Sequence, residues 1–210
     1  MGIKRCRRFA SPLQKIAHEN EALQVNGLEM IKPYMIPPWE DRLYPGEDLG
    51  PDSWPAVLGS PGNMAIMTSS AEREGPVGSG GATYDSSEAV RGNIVTLHEA
   101  VIGPRVHHHP YQAELVAMNL ALKGLPRGLR GQHIIVGASN LGAVRAIARP
   151  KQQSEQQYIE AIYQAVQTLR LNGNTVATSW TPAQTSNELK SQAKHAARRA
   201  LQQGHMLVAD

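Results

Sequence analysis

The chain has 210 residues, 41% of them hydrophobic and 19% charged, enough for one sizeable core that buries roughly 70% of the extended-chain surface. No apolar run approaches the ~18 residues of a membrane span and no signal-peptide core follows the basic start, while a single cysteine excludes an intramolecular disulfide framework and a cysteine-built zinc site, so an intracellular, reducing setting is expected. The net charge of +3 suits nucleic acid as a partner without being diagnostic of it.

In chain order, Pro12 to Leu23 can form one helix after Ser11 as N-cap. Pro33, Pro37, Pro38, Pro45, Pro51, Pro55 and Pro61 then punctuate the chain and forbid a long helix. We therefore expect residues 1–60 to be a helix followed by an extended strap, pinned to a neighbouring domain by Trp39, Tyr44 and Trp54. A globular domain is expected over 61–205, with 206–210 as a tail. Three strand candidates open it: Met64 to Thr68, glycine-rich Val77 to Tyr84, and Ile94 to Ile102. Leu115, Met118, Ala121 and Leu122 give Tyr111 to Lys123 a helical period, ended by Gly124 and Pro126. Ile134 to Val136 is a fourth strand, and Ser139 is placed to cap a helix through Ala148. Tyr158 to Leu169 predicts a further helix, Thr175 to Trp180 a fifth strand, and Leu189 to Leu201 a closing helix. This order argues for an α/β fold: a mixed five-stranded sheet flanked by helices.

Basic residues gather at the two ends. Lys4, Arg5, Arg7 and Arg8 surround Cys6. Lys190, Lys194, Arg198 and Arg199 make one cationic stripe if their segment is helical, either a solvated face or a phosphate-facing one.

Several strings, taken in order, resemble the ribonuclease H-like domain at the end of fungal non-LTR retrotransposon reverse transcriptases. They are Thr68-Ser-Ser-Ala71 followed by Gly75 and Gly78-Ser-Gly-Gly81, Tyr111-Gln-Ala-Glu-Leu115, Ile135-Val-Gly-Ala-Ser-Asn140, Pro150-Lys-Gln-Gln-Ser154, and Trp180-Thr-Pro182 followed by Glu188-Leu-Lys190. The resemblance covers about residues 64–201 and implies a ribonuclease H-like sheet. It also implies four carboxylates that hold two Mg²⁺ ions for hydrolysis of the RNA strand of an RNA–DNA hybrid.

Carried over by residue, the acid of the first helix falls on Glu114. The other three acid positions fall on Ser69, Ala138 and about Ser191. Glu72, Asp85 and Glu188 lie nearby without the spacing to rebuild two ion cages. One carboxylate against two divalent cations predicts loss of the Mg²⁺ site, so no cofactor is expected. The resemblance thus implies a degenerate domain acting as a nucleic-acid or other binding module, and the charge pattern makes Lys190, Lys194, Arg198 and Arg199 the candidate contacts to RNA–DNA hybrid or other nucleic acid. Residual hybrid cleavage is a further alternative.

His107-His108-His109 precedes the helix bearing Glu114. In an extended segment His107 and His109 share a face, and either can pair with Glu114 as acid and base on a small molecule in the former cleft. The competing reading is a solvent-exposed loop cluster, since two ligands do not make a metal site.

Overall fold

The computed structural model describes residues 12, 16, 29–45, 54–72, 75–86, 94–182, 184–185 and 187–203. The chain divides into two compact units, Met1–Ile31 and Lys32–Asp210. In the first unit Pro12 and Ile16 are helical. The rest of the expected first helix, the basic start with Cys6, and the 206–210 tail lie outside the described residues.

The second unit contains a five-stranded sheet in the order β3-β2-β1-β4-β5. Its strands are β1 (Asn63–Glu72), β2 (Pro76–Asp85), β3 (Ile94–Pro104), β4 (His133–Ala138) and β5 (Thr175–Trp180). The first three form an antiparallel meander, and β4 and β5 run parallel to β1. The helices are α1 (Trp54–Gly59), α2 (Pro110–Lys123), α3 (Leu141–Ala148), α4 (Gln156–Leu171) and α5 (Glu188–Gln203). All five strands and the four helices expected after residue 100 are present: β5 has the expected bounds, α3 ends at Ala148 as expected but begins only at Leu141, and the others run one to four residues longer at one or both ends.

Alternation along β1 divides the core. Met64 and Ile66 join Leu115, Met118, Ile147, Ile159 and Ile162 on the face covered by α2, α3 and α4. Ala65 and Met67 join Trp54, Leu189 and Ala193 on the face covered by α1 and α5. Period-two geometry then puts Thr68 on the α2 face and Ser69 on the α5 face.

Glycines in β2 set how closely α5 approaches. A Cβ on Gly80 would lie 2.3 Å from the Ala193 carbonyl oxygen and 2.3 Å from the Ala197 nitrogen. On Gly78 it would lie 2.4 Å from the Ala197 carbonyl oxygen. Backbone atoms cannot swing aside as a side-chain tip can, so helix and sheet would have to separate. Gly80→Val is therefore expected to lower stability by about 3 kcal/mol, read as a drop in the urea midpoint. A midpoint within error of the wild type would show that α5 does not pack as described.

The strap differs from expectation in which side chains anchor it. Met35, Ile36 and Leu43 are buried in the α2-side core, whereas Trp39 is 84% and Tyr44 65% exposed. The strap therefore holds through aliphatic burial and backbone hydrogen bonds. The Leu43 amide donates to the Tyr163 hydroxyl (3.3 Å), which itself donates to the Ile147 carbonyl (2.7 Å). The Lys32 amide donates to Gln156 Oε1 (2.6 Å), and Gln156 Nε2 returns a bond to the Lys32 carbonyl (2.9 Å). Pro45 bridges to Thr178, so the strap shields the exposed edge of β5. Only Trp54 packs as expected, from the short helix α1 rather than from extended chain. Its ring lies over Gly137, where a Cβ would come within 2.7 Å of it.

Candidate functional site

Glu114 sits on α2, one turn beyond its Pro110 start. That is past the reach of the helix macrodipole, which fades after the first turn. Its side chain is fully buried. Thr68 on β1 donates from Oγ1 to Glu114 Oε2 at 2.7 Å. The Ser139 hydroxyl, just beyond β4, donates to Oε1, and the Ser139 amide also supports the carboxyl group. Burial raises the Glu114 pKa above the ordinary carboxyl value; the Ser139 and Thr68 bonds and the positive charge of Lys190 oppose that rise. Lys190 Nζ donates to the Pro182 carbonyl. Burial holds its pKa below the usual lysine value, Lys194 adds repulsion, and Glu114 pulls the other way.

The three positions aligned with the missing acids contribute no group to this centre. Ser69 pairs with Gly80 across the sheet and makes a local 3.5 Å bond to the Ser70 carbonyl. Ala138 is fully buried and lies in register with Thr68, on the face toward Glu114. Ser191 is exposed on α5. Sequence reasoning therefore named the immediate neighbours of two residues that make the site. Thr68 and Ser139 are the hydroxyls that meet Glu114, whereas the resemblance points to Ser69 and Ala138.

A divalent ion needs several converging oxygens with free lone pairs and room for waters. Here one buried carboxyl group already accepts hydroxyls at both oxygens, and Ala138 offers no donor. This donor set does not fit a two-Mg²⁺ centre. Among the described residues no group of three His, Cys, Asp or Glu side chains converges.

The histidine segment is not extended. Arg105, Val106 and His107 form a turn in which the His107 and His108 amides both donate to the Pro104 carbonyl, at 3.0 and 3.1 Å. The shared face expected for His107 and His109 depended on extended backbone, and that basis is absent. Both of these side chains are exposed. His108 is the one held in place: its Nδ1 lies 2.7 Å from Gln112 Oε1, and its ring covers Gly103. His109 is the N-cap residue of α2 without a side-chain capping bond. Ser139, expected to cap α3, gives its hydroxyl to Glu114 instead; Asn140 caps the helix by accepting from the Ala143 amide at 3.1 Å.

The cationic stripe is realised in part. Lys194 and Arg198 are exposed on α5. Arg199 pairs with Glu99 at 2.7 Å, and Lys190 is turned toward Pro182 and the Glu114 centre.

Ribonuclease H1 from the archaeon Halobacterium salinarum superposes with a TM-score of 0.50 at 17% identity, over 68% of this chain and 99% of that one. LC11-RNase H1, a protein isolated from compost and solved in complex with an RNA/DNA hybrid, gives 0.51 at 20% identity, over 66% and 99%. The N-terminal ribonuclease H domain of a Mycobacterium tuberculosis protein gives 0.50 at 12% identity, over 66% and 98%. The fold is that of ribonuclease H. No family model matches the chain, and no curated protein matches it significantly in sequence. No helix among the described residues is long and apolar enough to cross a membrane.

Proposed function

We propose that this ribonuclease H-like domain is a nucleic-acid-binding module of retroelement origin that has lost metal-dependent hydrolysis and works inside the cell. The observation that carries this reading is the enclosure of Glu114, whose two oxygens accept from Thr68 and Ser139 in the core. The resemblance of its sequence strings to fungal retroelement domains supports the origin. The similarity to a ribonuclease H1 solved with an RNA/DNA hybrid supports the class of ligand.

Losing three carboxylates changes binding as well as hydrolysis. An intact acidic cluster repels phosphates until Mg²⁺ neutralises it. A centre with Ser69, Ala138 and Ser191 does not, so binding to Lys194, Arg198 and neighbouring cations needs no metal. Hybrid affinity is expected to be equal in Mg²⁺ and in EDTA. It should also fall with salt at about 0.9 log units per log unit of salt for each phosphate neutralised. Anisotropy of a labelled hybrid at two salt concentrations, with and without chelator, measures both. Affinity that collapses in EDTA would contradict the reading.

The alternative is a small-molecule enzyme using Glu114 with His107 or His109. Two clefts of about 650 and 630 Å³ lie along the strap, and neither is lined by any of these three residues.

A further inference from the structure

The larger strap cleft, about 650 Å³, lies between the strap and α3. Tyr44 and Tyr111 line it together with Arg145, Arg149 and Lys151, and no acidic residue does. Arg145 and Arg149 stand one helical turn apart on α3 and its C-cap, so both project toward the same side. The three cations are exposed and make no ion pair among the described residues. Lys151 also lines the adjoining cleft of about 630 Å³, where Tyr34 and Arg42 stand and again no acid does. The two clefts, joined at Lys151, form a track of aromatic rings and cations along the strap.

We propose that this track takes a single-stranded nucleic-acid segment, with a base stacked on Tyr44 and phosphates held by Arg145, Arg149 and Lys151. Charge complementarity selects a polyanion. An aromatic ring exposed between cations selects one with free base faces, which a duplex keeps inside its stack. A 65% exposed tyrosine on a strap fixed by Leu43 and Pro45 is a preformed platform, so binding needs little ordering of the protein. The proposal extends the nucleic-acid reading above to a second surface. It does not require the Lys194 and Arg198 face.

The test is anisotropy of the full 210-residue protein with a labelled oligouridylate and, separately, with an RNA–DNA hybrid. The single strand is expected to bind, and Tyr44→Ala to weaken it roughly tenfold, within the range of one lost base stack. Tyr44→Phe should bind like the wild type, which separates lost stacking from misfolding. Arg149→Ala with Lys151→Ala should flatten the single-strand salt slope by about 1.4, at ~0.7 per phosphate contact. Lys194→Ala with Arg198→Ala should weaken the hybrid and leave the single strand unchanged. Loss of hybrid binding alone would remove the earlier reading and leave this one standing. The proposal is overturned if the single strand does not bind, if Tyr44→Ala binds it like the wild type, or if polyglutamate binds with the same dependence on Tyr44.

Discussion

Ala138→Asp is expected to lower stability by about 3–5 kcal/mol at pH 8, the cost of leaving a buried charge uncompensated. Ala138 is fully buried and in register with Thr68, whose hydroxyl reaches Glu114. A carboxylate there would stand beside a second acid in a dry site, and the two cannot both ionise cheaply. The loss should shrink at pH 5, where the new group can stay protonated. It should also shrink when Glu114→Gln is added, because the like charge is gone. Urea denaturation of the single and double variants at both pH values provides the comparison. An Ala138→Asp protein as stable as the wild type would mean that this centre opens to water, and the enclosure argument would fail.

Glu114→Gln should make the protein more stable at pH 8 and remove a pH dependence. Burial raises the folded-state pKa of Glu114 above the unfolded value, so between those two values the native state holds a proton that the unfolded state has released. Stability therefore falls as pH rises through that window, by up to about 1.4 kcal/mol per pH unit, and levels off above the folded value. Glutamine has no proton to lose in this range. Its amide can still accept from Thr68 while presenting N–H to the Ser139 hydroxyl. The variant should thus show no such slope. A variant less stable than the wild type at pH 8 would show instead that Glu114 is held as an anion, with Lys190 compensating its charge.

The sheet was legible because its signals are local. A short apolar run, Met64 to Met67, marks β1, glycines mark the strand beneath α5, and the Leu115–Leu122 spacing marks α2. The site was less legible because it depends on single-residue register. Thr68 and Ser69 point to opposite faces of one strand, and Ala138 and Ser139 straddle a strand end. Sequence strings locate such pairs without deciding which member meets Glu114. The strap shows the same limit. Its prolines predicted an extended path, but nothing local distinguishes the buried Met35, Ile36 and Leu43 from the exposed Trp39 and Tyr44. Arg145 and Arg149 did carry a readable signal, an i, i+4 pair followed by Lys151. Their cleft exists only once Tyr44 is laid against α3.

Incubation of the unmodified protein with a labelled RNA–DNA hybrid in Mg²⁺ or Mn²⁺, resolved by product length, bears most directly on the enclosed glutamate. The hybrid should remain intact over hours in either metal, and EDTA should make no difference. Cleavage products that form with Mg²⁺ and vanish with EDTA would show that the centre around Glu114 still assembles a working metal site.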